Sequence, residues 1–200
     1  MNSHYQNWII QSHEKIHTTY KEINKLDQEI GDGDHGSTIL KGVSIAKELF
    51  IKNTDLPLDQ CMSMIAKEMR RAMGGASGIL MSIFFDESGK INTLNLNTSI
   101  IKIFENSIVK IQKRGKVISG DKSILDIYEP VLNFLKSNNN FNQKIIEINN
   151  VLSSSLNKTK NMEAKVGRAK FLENKGIGTL DPGAYSTKII LTEYFRAIFS

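Results

Sequence analysis

Apolar residues recur at steps of three and four through almost the whole chain of 200 residues, and runs that alternate apolar with polar are scarce. Ile9, Ile16, Tyr20 and Ile23 follow that step, as do Ile39, Val43, Ala46 and Phe50. A repeat near 3.6 places such residues on one face of a helix, whereas a half-buried strand needs a period of two. The chain is therefore expected to be all-α. Further helices are expected over about 57–73, 77–87, 98–114, 123–137, 141–158, 160–173 and 185–199, about eight or nine in all with little sheet. Pro57, Pro130 and Pro182 can each stand at or near a helix start, where a missing N–H costs little. The polar stretch KSNNNFNQK reads as a turn, too short for a domain linker, and no internal repeat is visible, so residues 1–200 are expected to form one domain.

Glycine marks where those helices stop. Most of the 14 glycines fall in IGDGDHG, MGGASG, RGKVISG and GRAKFLENKGIGTLDPG, between the expected helices. In an up-and-down bundle the connections alternate between two ends, so loops distant in sequence converge on one face. Such loops let backbone N–H groups approach phosphate oxygens closely.

The first of these loops also crowds Asp27, Asp32 and Asp34 together. Like charges at close range raise one another's pKa, and such a cluster persists most readily when a cation neutralises it. Three carboxylates with room for water and phosphate oxygens form an incomplete octahedral cage of the kind that holds magnesium beside a nucleotide. Two ions there could clamp the phosphates during phosphoryl transfer. Residues His35 to Thr38 open the next helix, so their N–H groups face the same anion. The plainer alternative, that Asp34 or Ser37 only caps this helix, accounts for one aspartate rather than three.

Other motifs fit less well. Gly31-x-Gly33-x-x-Gly36 has the spacing of a dinucleotide fingerprint, but INKLDQEI before it continues a helix rather than a buried strand. Gly115 and Gly120, followed by Asp121, Lys122 and Ser123, resemble a Walker A loop with one residue too many. An EF-hand starting at Asp32 would place Gly36, Ser37 and Val43 where it needs an oxygen ligand, a glycine and a glutamate. HEKIH at residues 13–17 is a literal H-E-x-x-H, with His13 and His17 able to share zinc and Glu14 able to act as base. Its flanks are polar and no third ligand follows, which favours two solvated histidines and leaves a zinc peptidase as a remote alternative.

Charge and composition narrow the class further. The net charge of +5 is spread over scattered lysines, with only KIQKRGK approaching a basic cluster, so nucleic-acid binding is not expected. Cys61, the one cysteine, lies among apolar residues at helical spacing and reads as a buried thiol. Neither a signal peptide nor an apolar run of about 18 residues is present, so a cytoplasmic protein without a membrane span is expected.

Four stretches, EIGDGDHGST, GGASGILMSIFF, SGDKSILDIYEP and GRAKFLENKGIGTLDPGAYST, follow one another across nearly the whole chain. Together they resemble the nucleotide-binding L subunit of bacterial dihydroxyacetone kinase. The resemblance implies a barrel of eight antiparallel amphipathic helices with the nucleotide at one end. It implies that Asp27, Asp32 and Asp34 hold two magnesium ions, and that His35, Gly36, Ser37 and Thr38 form a nucleotide-contacting helix start. Ala76 and Ser77 would meet the phosphates, and Gly120, Arg168, Asp181, Pro182 and Gly183 would complete the loops around the nucleotide. Thr179 and Leu180 before Asp-Pro-Gly, and Val117 to Ser119 before Gly120, depart from the commoner family pattern.

The implied activity is phosphoryl transfer from a magnesium-bound ADP/ATP system to dihydroxyacetone, held covalently on a histidine of a separate K subunit. No catalytic residue beyond the metal-nucleotide site is implied on this chain. A free-standing chain of this length favours the version in which ADP stays bound and is rephosphorylated by the M subunit, a phosphocarrier of the phosphotransferase system. Exchange of free ATP, with a related small sugar as acceptor, is the alternative. Fatty acid kinases begin with a related domain, but usually carry threonine where this chain has His35. A non-catalytic Mg-nucleotide sensor docking on a transcription factor is the non-enzyme alternative, and a second copy of the chain, giving a homodimer, is a further candidate partner.

Overall fold

The computed structural model describes residues 2–138 and 140–200. Among these described residues eight α-helices follow one another: α1 (Asn2–Ile30), α2 (His35–Lys52), α3 (Leu58–Met73), α4 (Gly75–Ser88), α5 (Leu96–Gly115), α6 (Leu125–Ser137), α7 (Ile145–Thr159) and α8 (Pro182–Ile198). Short 3-10 turns at Thr93–Asn95, Phe141–Gln143 and Ala169–Phe171 are the other regular elements, and no strand occurs among the described residues. Each helix packs on the next and α8 returns to α1, closing the up-and-down bundle into a barrel. No helix among the described residues is long and apolar enough to cross a membrane.

The apolar stripes read from the sequence face inward. In α3, Cys61, Met62, Ile65, Ala66 and Met69 are buried at helical steps, while α4 and α8 are buried on most of their surface. Trp8 of α1 joins those two helices. Its ring stacks on Phe85 at 4.8 Å and meets Tyr194 edge-on at 5.1 Å, and its Nε1 donates to the Ile190 carbonyl at 3.1 Å. Phe84, Phe104, Tyr128 and Phe195 extend this aromatic cluster towards α5 and α6. Such rings bury large areas and add directional contacts that fix one packing.

Three expectations need correction. Residues 160–173 are not an α-helix: α7 stops at Thr159, and only the turn Ala169–Phe171 is helical in the stretch before α8. Here the backbone pairs across the segment rather than along it, Ala164 N–H donating to Lys175 and Gly178 N–H to Lys160 at 2.9 and 2.8 Å. Gly167, Gly176 and Gly178 take positive φ angles, which a helix cannot accommodate. Pro130 lies inside α6 rather than at its start, so the Asp126 carbonyl lacks its usual intrahelical donor. The helix expected over 141–158 divides into the turn Phe141–Gln143 and α7. Pro57 and Pro182 do stand at helix starts.

Candidate functional site

All four glycine-rich connections meet at one end of the barrel, where they enclose a cavity of about 280 Å³. The even-numbered helices all begin there: His35 of α2, Ala76 and Ser77 of α4, Ile124 before α6, and Pro182 and Gly183 of α8 line the space. First-turn N–H groups have no intrahelical partner and carry the positive end of the helix dipole, so this geometry suits an anion. Ile30, Ile39, Leu80 and Met81 give another part of the wall an apolar surface.

The acidic part of the wall comes from the α1–α2 connection. Gly33, at φ 78°, lets the chain reverse after α1. Asp27 then reaches across the turn, its Oδ2 accepting from the N–H groups of Asp34 and His35 at 3.0 and 3.1 Å. The cap of α2 is therefore supplied by Asp27, not by Asp34 or Ser37: Asp34 makes no side-chain cap bond, and Ser37 is engaged by Asn24. Asp27, Asp32 and Asp34 each offer a carboxylate oxygen, all within 4.8 Å of one another. Among the described residues no other group of three or more His, Cys, Asp or Glu side chains comes close enough to hold a metal. His13 and His17 stack with ring centroids 6.0 Å apart, without a third ligand.

The electrostatics follow from this crowding. Partial burial and the neighbouring Asp32 and Asp27 carboxylates push the Asp34 carboxyl up, and Arg168 offsets part of the effect. Arg168 reaches the cluster from the α7–α8 segment, with Nη2 2.7 Å from Asp32 Oδ2. Hard oxygen donors at this spacing fit magnesium better than a soft transition metal. His35 is partly buried, and the loss of hydration drives its imidazole down to about 4, so it is neutral near pH 7. Its nitrogens lie 3.2 Å from Ser77 Oγ and 3.0 Å from Ser186 Oγ, tying α2 to α4 and α8. Asp181 caps α8 by accepting from Ala184 N–H at 2.6 Å, and burial raises its carboxyl to about 7.

Of the residues singled out from the sequence, Asp27, Asp32, Asp34, His35, Ala76, Ser77, Arg168, Asp181, Pro182 and Gly183 all line this cavity. Gly36, Ser37, Thr38 and Gly120 stand outside its lining. Gly36 lies where α1 and α2 cross: a Cβ there would sit 2.0 Å from the Tyr20 carbonyl oxygen. Gly120, at φ 88°, donates to Asp126 Oδ1 at 2.6 Å and shapes the α5–α6 turn.

Residues 29–196 match the DAK2 domain model. The chain belongs to the DAK2 domain family. This DAK2 domain is 32% identical over 185 residues to the Listeria innocua protein named PEP-dependent dihydroxyacetone kinase 1, ADP-binding subunit DhaL, covering 92% of this chain and 90% of that one. It is also 32% identical to the ADP-binding subunit DhaL of the PTS-dependent dihydroxyacetone kinase of Lactococcus lactis, covering 96% and 95% of the two chains. Among solved structures it resembles the dihydroxyacetone kinase from C. freundii in complex with AMP-PNP and Mg2+, with a TM-score of 0.72 at 23% identity. That likeness covers 96% of this chain and 33% of the kinase chain, so the DAK2 domain spans about a third of the C. freundii protein.

The apolar part of the wall was not singled out from the sequence, nor was one charged lining residue. Lys122 is almost fully buried in the DAK2 domain, and its ammonium is surrounded by backbone carbonyls of residues 159–179. In the sequence it appeared as the lysine of a misfit Walker A loop and within SGDKSILDIYEP, without a role, and a solitary lysine carries no signal of which carbonyls it will gather.

Proposed function

We propose that this chain is the nucleotide-binding subunit of a dihydroxyacetone kinase. It holds magnesium-bound ADP/ATP in the end cavity, from which a phosphoryl group passes to dihydroxyacetone on a separate K subunit. The observation that carries this reading is the meeting of three carboxylates with the first turns of four helices in one cavity. The likeness over more than nine-tenths of the chain to proteins named ADP-binding subunits of dihydroxyacetone kinases supports the kinase assignment.

The chain's own groups divide the work. Asp27, Asp32 and Asp34 would hold two magnesium ions, Asp27 also keeping α2 aimed at the site through its bonds to Asp34 and His35. Magnesium bound there supplies charge neutralisation of the phosphate oxygens and a template for in-line displacement. Ala76 and Ser77, on the first turn of α4, would meet the phosphates, and Ile39, Leu80 and Met81 offer an apolar surface to the base. Arg168 adds a positive charge at the rim. Neutral His35 fixes the relative placement of α2, α4 and α8.

The acceptor subunit would close over the open end, where transfer needs both in-line approach and exclusion of water. Ile118 and Phe171, 60% and 80% exposed on two of the loops beside the cavity, supply apolar contact for it. ADP would remain bound and be rephosphorylated by the phosphocarrier M subunit. Native and denaturing mass measurements of the purified chain test the first half of this proposal, with ADP and magnesium expected to travel with the folded protein only. The second half predicts no turnover of dihydroxyacetone by the chain alone and rapid turnover with the K subunit and phosphorylated M subunit. Full turnover with free ATP in place of the phosphocarrier would assign an exchanging donor, and robust kinase activity of the isolated chain would refute the divided reaction.

A further inference from the structure

The α7–α8 segment, residues 160–181, brings Arg168, Ala164, Val166 and Gly167 to the cavity, yet it has little core of its own. Its buried alanines, Ala164 and Ala169, form with Ile30 a small cluster apart from the main core, and Val166 and Leu180 touch only the margin of that core. Besides the backbone pairs Ala164–Lys175 and Gly178–Lys160 and the Arg168–Asp32 ion pair, one buried side chain from another loop gathers the segment. Lys122 is 2% exposed, and its Nζ donates to the carbonyls of Thr159, Gly176 and Thr179 at 2.7, 2.7 and 2.6 Å, with Met162 at 3.4 Å. Three short bonds use all three N–H groups of an ammonium. The acceptors lie at the last residue of α7 and near both ends of the segment, so a single buried charge ties its ends together.

The anchor is itself firmly held. Lys122 stands at φ 60°, a left-handed conformation unfavourable for a residue with a Cβ, and it persists there because its surroundings over-determine it. Next to it, Asp126 accepts from Gly120 N–H and Ser123 N–H at 2.6 and 2.7 Å. On the segment's side, Lys165 N–H donates to the Asp121 carbonyl at 3.1 Å.

We propose that Lys122 is a positioning residue whose ammonium pins residues 160–181 against the cavity and thereby slows release of a bound nucleotide. The proposal rests on the reading of the cavity as a Mg-nucleotide site. A segment with so little buried apolar surface opens locally at low cost unless its polar anchors hold. Arg168 and Val166 move with it, so opening uncovers one side of the cavity. The lysine touches no reacting atom in this scheme and acts through the segment that it holds.

Hydrogen exchange of the protein free of metal and nucleotide tests the pinning directly. In Lys122→Met, amides of residues 160–181 are expected to exchange faster by about tenfold or more, while those of α1, α4 and α8 keep wild-type rates. Release of a fluorescent ADP analogue in the presence of magnesium is expected to accelerate by a similar factor. Lys122→Arg retains a donor cation and should fall between the two, and it carries the test if the methionine variant does not fold. Unchanged exchange in a folded variant overturns the pinning, and faster exchange with unchanged release overturns the effect on the nucleotide. If the wild-type chain binds no Mg-ADP, the functional reading falls on that measurement, and the exchange experiment still decides whether Lys122 pins the segment.

Discussion

The two ends of this barrel are held together by different forces. Below the cavity, α1, α4 and α8 interlock through the buried rings of Tyr5, Trp8, Phe84, Phe85 and Tyr194, with the Tyr5 hydroxyl donating to the Ser88 carbonyl and Trp8 Nε1 to that of Ile190. At the loop end, the cohesion is polar: Asp27 caps α2, Asp181 caps α8, Arg168 meets Asp32, and Lys122 collects carbonyls. The first kind of cohesion is nondirectional and large, while the second is directional and depends on charge balance. Stability therefore resides away from the chemistry, and each can be broken without the other.

The largest effect is expected from the aromatic end. Trp8→Ala removes a fully buried ring from the junction of three helices and should cost about 3–5 kcal/mol of stability. Urea denaturation reads this loss, and the fraction that remains folded should bind Mg-ADP as the wild type does. Weakened binding by that folded fraction would mean that the ends are coupled.

The opposite result is expected at the loop end. Asp34→Ala removes a proposed metal ligand, and Mg-ADP affinity should fall by about a hundredfold or more, equivalent to about 2.7 kcal/mol. The stability of the ligand-free protein should hold or rise slightly, because the Asp34 carboxyl is pushed above its usual range by burial and by Asp32 and Asp27. A group raised in this way destabilises the fold once ionised. Saturating Mg-ADP should raise the melting temperature of the wild type, by mass action worth about 2.7 kcal/mol at a hundredfold excess over Kd, and should stabilise the variant at the same concentration by about 0.4 kcal/mol or less. Wild-type binding by Asp34→Ala sinks the metal assignment.

The same division governs what could be read from the sequence. The helices were legible because their burial is periodic: Cys61, Met62, Ile65, Ala66 and Met69 announce both a helix and its inner face. Asp27, Asp32 and Asp34 were legible because their repulsion is local in the chain, within one turn and its flanking helix. Residues 160–173 looked helical from their apolar spacing, but Gly167 and the cross-pairing of Ala164 with Lys175 commit them to an irregular course. Lys122 was not legible as an anchor, because its acceptors are carbonyls 37 to 57 residues away and every residue type offers one. Local conflict and periodicity can be read from a chain, whereas long-range polar cohesion to backbone leaves no side-chain signature.

A smaller effect is expected at the rim, where the loop end is proposed to meet its partner. Phe171 is 80% exposed, with the Lys170 ammonium 4.8 Å from its ring centroid, so it contributes little to folding. Phe171→Asp should lower turnover in the presence of the K subunit by about tenfold, roughly 1.4 kcal/mol, as expected for an apolar contact in an interface. Mg-ADP affinity and melting temperature should not change. Unaltered turnover at limiting K subunit removes Phe171 from the docking surface.

The subtlest test compares one carboxyl from each end by the sign of its pH dependence. Glu87 is buried at the far end of α4. Burial alone would raise it, but hydrogen bonds from Lys110 and Lys90 hold it below the usual range. Its stabilisation is therefore complete above the unfolded value near about 4.3 and is lost as pH falls through the folded value. Asp181 has the reverse sign. Raised by burial to about 7, it favours the folded state while protonated, and that contribution disappears as pH rises from about 4 to about 7. In metal-free, nucleotide-free buffer, wild type should gain on Glu87→Gln as pH rises through about 4, by about 1 kcal/mol or less because both lysines are half exposed. It should lose ground to Asp181→Asn between about pH 4 and about pH 7, since asparagine can still cap α8 without carrying a charge into the wall of the cavity. Melting temperatures of the three proteins across pH 3.5 to pH 8, about the span of both titrations, decide the matter. Two difference curves with the same slope would show that the ends of the barrel are not electrostatically distinct.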